Sequence, residues 1–356
     1  MHYPPSLIQT LSNHFPLHPS RLKTLAGLIM GAITSGNVQH QSLCRHVESS
    51  NVNSAIRKTE RFFQKQELPI QNYAKAIVNI VGYSGKMDLN IDRTNWKFGK
   101  KTINYLVLSW RISKDFSLPL FFIELDKDGN SSTKERIDII ELFLETFGVE
   151  RLASLAGDRE FIGEKWVKYL AANKIPFFLR IKENMLIDYD DSKCHLRDFF
   201  EHLEVGKQRR IEMAVYGHLL VFEGTRSQDG DLVIVMSNQI QMKLGGILKR
   251  YRKRWSLEEL FRKLKTGGFN WENTHMKASP NLEKLLIILG FAAVCAFLMG
   301  IASKIPWRKT IGYKLRSVFR QGFLNIQYLM SQSATCALDK LEQLLSTAKE
   351  QFRRII

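Results

Sequence analysis

Three successive stretches between residues 87 and 125 carry the signature of β-structure, and they constrain the fold of this chain more than any other feature. Met87, Leu89 and Ile91 alternate with Asp88, Asn90 and Asp92, the period of a strand with one face on a core. Residues 103–112 (INYLVLSWRI) and 118–125 (LPLFFIEL) follow. Both are rich in the β-branched and aromatic side chains that suit a pleated surface. Together they predict a three-stranded meander. Asp126-Lys127-Asp128-Gly129-Asn130 reads as a turn, because the twelfth position of a calcium loop would be Ile137 rather than Glu. Ser132 and Glu135 then make a capping-box pattern that opens a helix to about Phe147. An apolar strand at 152–156 delivers Gly157-Asp158-Arg159-Glu160-Phe161, a helix is expected at 163–172, and a strand at 175–181 (IPFFLRI). Three strands, helix, strand, helix, strand describes an α/β domain with a mixed sheet.

The remainder is arranged around that core. Residues 1–84 read as helical, with helices expected at 20–34 (ended by Ser35-Gly36-Asn37), about 42–47 and 52–66. The last carries Arg57, Lys58, Arg61 and Lys65. Its outline fits both a helix-turn-helix DNA-binding domain and a plain helical cap. Strands at 209–216, 219–223 and 231–237, with Asp229-Gly230 as a turn, form a β insertion at about 185–240. An uncharged run at 285–302 sits between Lys284 and Lys304. It is barely as long as the roughly 20 residues of a membrane span, is rich in Ala and Gly, and is expected to be a buried core helix. The expected domains are therefore 1–84, 85–302 with its insertion, and a basic helical region at 303–356 whose tail from 339 is one amphipathic helix. The four cysteines show no C-x-x-C spacing, which implies neither a disulfide framework nor a zinc site and suits a reducing cytoplasm.

The formal net charge is +17, and such an excess implies an anionic partner, of which nucleic acid is the commonest. The cations cluster at 249–265 and again at 304–320, where Arg308 and Lys309 lie in a run with no acidic residue. Read as one helix, residues 251–265 put Leu257, Leu260, Phe261 and Leu264 on one apolar stripe. Tyr251, Arg254, Glu258 and Lys265 then project within roughly 60° of one another along its edge. On spacing alone, Glu258 could simply pair with Arg254 or Arg262. Alternatively, Ser256-Leu257-Glu258-Glu259 is a capping box that starts a fresh helix and leaves Tyr251 and Arg254 on the preceding turn.

The spacing Tyr251-x2-Arg254-x3-Glu258-x6-Lys265 resembles the Y-R-E-K signature of bacterial insertion-sequence transposases of the DDE type. Ile91-Asp92-Arg93-Thr94 and Asp158-Arg159-Glu160-Phe161 resemble the family's motifs around its two aspartates. Several insertion-sequence transposases carry a β insertion in the same place. The resemblance covers about 85–300 and implies a ribonuclease-H-like fold, with Asp92, Asp158 and Glu258 as catalytic metal ligands. It implies Mg²⁺ as cofactor, with two ions expected and Mn²⁺ as a substitute. It also implies double-stranded DNA as partner, both terminal inverted repeats and target, bound by a homodimer in a synaptic complex. By position, Tyr251, Arg254 and Lys265 would contact DNA, and the basic run adds Arg308 and Lys309. Asp88 shares a strand face with Asp92 and is its rival. A nuclease that hydrolyses without joining strands, and a decayed DNA-binding protein, are the competing functions.

Overall fold

In a computed structural model the described residues are 3–99, 101–189, 192–276, 278–305, 307–308 and 313–356. Five helices come first: α1 (Pro5–His14), α2 (Pro19–Ser35), α3 (His40–Leu43), α4 (Val52–Lys65) and α5 (Ile70–Val81). The expected helices correspond to α2, α3 with the 3-10 turn that follows it, and α4; α1 and α5 are additional. Local chemistry sets their ends. Pro19 opens α2, and Gly36 closes it in the left-handed region at φ 59°, which favours glycine. Asn51 caps α4 by accepting the Ser54 amide at 2.9 Å.

The meander follows as β1 (Met87–Phe98), β2 (Lys101–Ser113) and β3 (Phe116–Glu124), then α6 (Thr133–Phe147), β4 (Leu152–Gly157), α7 (Glu164–Ala172) and β5 (Phe177–Ile181). The Ser132–Glu135 capping box is formed in both directions. A hairpin that the sequence did not announce, β6 (Leu186–Tyr189) and β7 (Ser192–His195), precedes the inserted strands β8 (Gln208–Val215), β9 (His218–Arg226) and β10 (Leu232–Ser237). Within the insertion, β6 and β7 form a two-stranded sheet of their own, but β8, β9 and β10 do not. Strand β10 pairs antiparallel with β5, giving one eight-stranded sheet of order β3-β2-β1-β4-β5-β10-β9-β8. Strands β1, β4 and β5 are parallel and β2 and β3 antiparallel to their neighbours, so the fold is α/β with a mixed sheet and flanking helices.

Helices α8 (Gly246–Arg252), α9 (Trp255–Leu264) and α10 (Ser279–Ile301) come next. A two-stranded ribbon, β11 (Trp307–Arg308) with β12 (Tyr313–Lys314), leads to α11 (Val318–Gln332), α12 (Ala334–Ser346) and α13 (Ala348–Arg353). The uncharged run lies within α10, in which every residue from 284 to 300 is buried. Although long and apolar enough to cross a membrane, this helix forms the centre of the core. A Cβ on Gly322 of α11 would meet the Ala296 carbonyl and the Gly300 backbone of α10, so these two helices cross with their backbones in contact. The tail expected as one helix is broken at Thr347 into α12 and α13. The break lets Leu341 and Leu344 on one piece and Phe352 on the other reach the same core.

Candidate active site

Strands β1 and β4 run side by side with Ile91 opposite Gly157. The next residue of each chain segment is an aspartate, so Asp92 and Asp158 arrive together where the parallel strands end. A Cβ on Gly157 would come within 3.0–3.2 Å of Leu179, Phe161 and Ile91 side chains, which explains a glycine before Asp158. The turn after Asp158 is held from below by Arg136, which is 5% exposed. Its guanidinium donates to Ser131 Oγ (2.9 Å), Ser131 O (2.8 Å), Glu160 O (2.9 Å) and Ile162 O (3.1 Å). Arg93 and Glu160, each close behind one aspartate, form a two-point ion pair at 3.3 Å that ties the two strand ends together.

Helix α8 crosses the sheet face that carries Asp88, Asn90 and Asp92. It packs Ile247, Leu248 and Tyr251 on Ala156, Phe178, Val221 and Val235. Buried Glu223, on inserted strand β9, accepts the Ile247 and Leu248 amides at 3.1 and 3.2 Å and so fixes where α8 begins. Helix α9 sits over a different part of the sheet, with Leu257, Leu260 and Leu264 in the main core.

Residues 251–265 are therefore not one helix. A straight helix cannot follow two separated patches of a twisted sheet, and the chain turns at Lys253–Arg254. The expected capping box is also absent. Ser256 is buried, its hydroxyl shared with Ser117 Oγ (2.7 Å) and Lys253 O (3.1 Å), while Glu259 is bonded to Arg262 instead.

The turn brings Arg254 into the middle of the acidic groups. Its Nη1 donates to Asp92 Oδ2 at 2.8 Å, and its Nη2 donates to Glu258 Oε1 at 2.7 Å and lies 3.8 Å from Asp158 Oδ2. The Tyr251 hydroxyl reaches Asp158 Oδ1 at 3.4 Å. Asp92, Asp158, Glu258, Tyr251 and Arg254 are thus one cluster. Lys265 is not in it: its ammonium lies 2.8 Å from Glu272 and donates to Asn95 O at 3.2 Å, beyond the end of the aspartate pair. Asp88, the rival of Asp92, is bound by Arg111, Arg250 and Ser154 Oγ at the other end of the strand. Lys309 lies outside the described residues, and Arg308 is described only as backbone in β11.

Burial raises the Asp92 pKa to about 6, against the pull of Arg254 and the Arg93 amide and with help from Glu160 and Asp158. For Arg254, burial opposes the charge, but Tyr251 and the three carboxylates outweigh it and raise its pKa further. Burial also pushes Tyr251 up to about 12, so it remains a proton donor near neutrality. Beside the cluster opens a groove of about 500 Å³, lined by Arg180, Arg226, Arg252 and the 60% exposed Trp255. Of these groove residues the sequence marked only Arg252, within the basic run at 249–265; Arg180 and Arg226 were unmarked, as were Glu223, Arg136 and the Arg93–Glu160 pair. The two acidic motifs, each with its own charged neighbour, held the only signal for that pair.

As the side chains stand, no three His, Cys, Asp or Glu among the described residues close on a common point that could hold a metal ion. The donor chemistry nonetheless suits one. Three carboxylates, hard oxygen ligands of the kind magnesium and manganese take, already share one cation, the Arg254 guanidinium.

Two aspartates where the parallel pairing of β1 with β4 stops, and a glutamate delivered by a later helix, give the hard-oxygen donor set of a metal-dependent enzyme. The family profile of the transposase DDE domain matches residues 86–295, more than half of the chain, and the chain belongs to that family. It is a DDE transposase, an enzyme class that works with divalent metal ions. Among solved structures, the cryo-EM structure of the piggyBac transposase synaptic complex with hairpin DNA is similar. Identity is 10%, the match covers 95% of this chain and 73% of that one, and the TM-score is 0.49. No curated protein matches.

Proposed function

We propose that this transposase belongs to the bacterial insertion-sequence group and cuts DNA at the terminal inverted repeats of a mobile element. In this reading it then joins the freed 3′-hydroxyl to target DNA, working in the bacterial cytoplasm on nucleoid DNA. Asp92, Asp158 and Glu258 are the residues that would hold Mg²⁺, two ions with Mn²⁺ as a substitute. When bound, the ions supply Lewis-acid stabilisation of the attacking and leaving oxygens of an in-line displacement. The single observation that carries the reading is the meeting of all three carboxylates on the Arg254 guanidinium, beside the point where the parallel pairing of β1 with β4 stops.

The remaining roles follow from the chain's own side chains. Tyr251 keeps its proton and offers a hydrogen bond to a phosphate oxygen next to Asp158. Arg254 offers the fork geometry that matches phosphate. Lys265 lies further along the path, where it would take a phosphate of the flanking duplex. Arg180, Arg226 and Arg252 line a groove of matching charge. Transposition needs two element ends held at once, so the working form is proposed to be a homodimer in a synaptic complex. The test is to incubate the purified protein with DNA carrying its flanking sequences and Mg²⁺, and to map the products. Strand breaks at the repeat boundary together with joined target strands support the reading. Breaks without joining would make the protein a nuclease.

A further inference from the structure

We infer that Arg254 is a resident counter-ion that excludes the catalytic cation until DNA is present, so that divalent metal and DNA phosphate bind this site cooperatively. The inference rests on the carboxylate assignment proposed above and concerns how that site is regulated.

Arg254 is 9% exposed at its side chain and is the shared partner of Asp92, Asp158 and Glu258. A guanidinium cannot shed its proton, so it cannot make way for a metal ion by becoming neutral. It must move. Leaving for the metal ion with nothing to receive it would strip the largely buried guanidinium of its acidic partners, and breaking a buried pair one-sidedly is strongly unfavourable. A phosphate diester removes that penalty, because it accepts the same two-point hydrogen bonding.

The surroundings allow the exchange. Arg254 occupies the turn between two separately anchored helices, α8 on Glu223 and α9 on the main core. Its side chain also borders the 500 Å³ groove, whose arginines would draw a phosphate backbone to it. Charge points the same way. Three carboxylates and one guanidinium leave the cluster two charges short of neutrality, which invites a cation. Yet Arg254 already holds one oxygen of Asp92 and one of Glu258 by hydrogen bonds and lies at ion-pair distance from Asp158 Oδ2. DNA that draws Arg254 away frees those oxygens, and a metal ion that takes them releases Arg254 for DNA. By linkage the two effects are equal in size.

The test measures Mn²⁺ affinity of the full chain at fixed pH and salt by the electron-spin signal of free Mn²⁺, with and without a blunt DNA duplex of arbitrary sequence. For the wild type, duplex is expected to tighten Mn²⁺ binding by about ten-fold, within the usual span of coupling between sites. Arg254→Gln is expected to bind Mn²⁺ more tightly without DNA and to gain little when DNA is added. Arg254→Lys, which keeps the charge but lacks the fork, should fall between the two. Arg252→Gln, removing the same charge from the same groove without touching the carboxylates, should shift affinity far less. Arg254→Gln binding no tighter than wild type, or a wild-type affinity indifferent to DNA, would overturn the inference while leaving the carboxylate site standing. Mn²⁺ binding that survives the double change Asp92→Asn and Asp158→Asn would overturn the site itself, and this inference with it.

Discussion

Lys263 lies two residues before the signature lysine and is 3% exposed, its ammonium donating to Asp115 O at 2.6 Å between the rings of Phe116 and Phe319. Burial lowers its pKa from 10.5 to about 8. The folded chain therefore holds this proton less tightly than the unfolded chain does. Below pH 8 both states carry the proton and the folded state bears the whole penalty. Between about 8 and 10.5 the folded state sheds it first, and the penalty fades as pH rises. At about 1.4 kcal/mol per unit, the effect is on the order of 3 kcal/mol. Urea denaturation of wild type and Lys263→Met is expected to show their stability difference moving in favour of wild type across that window; a pH-independent difference would contradict it. Charge and spacing in the sequence pointed to Lys265, and nothing there distinguished a buried ammonium from an exposed one. Residues whose role depends on neighbours far along the chain, such as Arg136 under the Asp158 turn or Arg93 across from Glu160, were likewise invisible. The aspartates and the Tyr-Arg-Glu spacing were legible through their resemblance to family motifs; strand period alone left Asp88 beside Asp92, and helix period assumed a continuity that the turn at Lys253–Arg254 breaks.

Among the elements, α8 is the one whose position depends most on the insertion. Glu223 is fully buried, and one carboxylate oxygen accepts both of the first α8 amides. Glu223→Ala would leave two buried N–H groups without an acceptor and is expected to cost about 2–4 kcal/mol in urea denaturation. Glu223→Gln, which keeps an acceptor but loses the charge at the helix start, should cost about 1 kcal/mol. Equal effects would mean that shape rather than hydrogen bonding holds α8. Most strands were readable to within a few residues, β1 by alternation and the doubly buried β3 and β4 by their apolar, β-branched and aromatic composition. Helix continuity was not. Periodicity carries on through Lys253–Arg254 and through Thr347, and only the sheet twist and the shared core decide that the chain breaks there. The small hairpin β6–β7, with Leu186 and Tyr189 more than half exposed, lacks the alternation that would have announced it.

At the scale of the whole molecule, helices from both ends of the chain share one apolar core with the sheet, centred on α10. The excess of positive charge is left for the surface. If the basic runs at 249–265 and 304–320 both touch phosphate, DNA affinity should fall steeply with salt through counter-ion release. Replacing Arg308 and Lys309 with Ala is then expected to flatten the slope of log K against log salt by about 1–2 units. An unchanged slope would turn that run away from DNA. The central claim, that Asp92, Asp158 and Glu258 are the catalytic carboxylates, is tested most directly by nicking of a supercoiled plasmid carrying the DNA that flanks this chain's own reading frame. Wild type is expected to cut only with Mg²⁺ or Mn²⁺. Asp92→Asn, Asp158→Asn and Glu258→Gln should each bind the plasmid and leave it intact, while Asp88→Asn still cuts. Metal-dependent cleavage retained by any one of the first three variants would contradict the account.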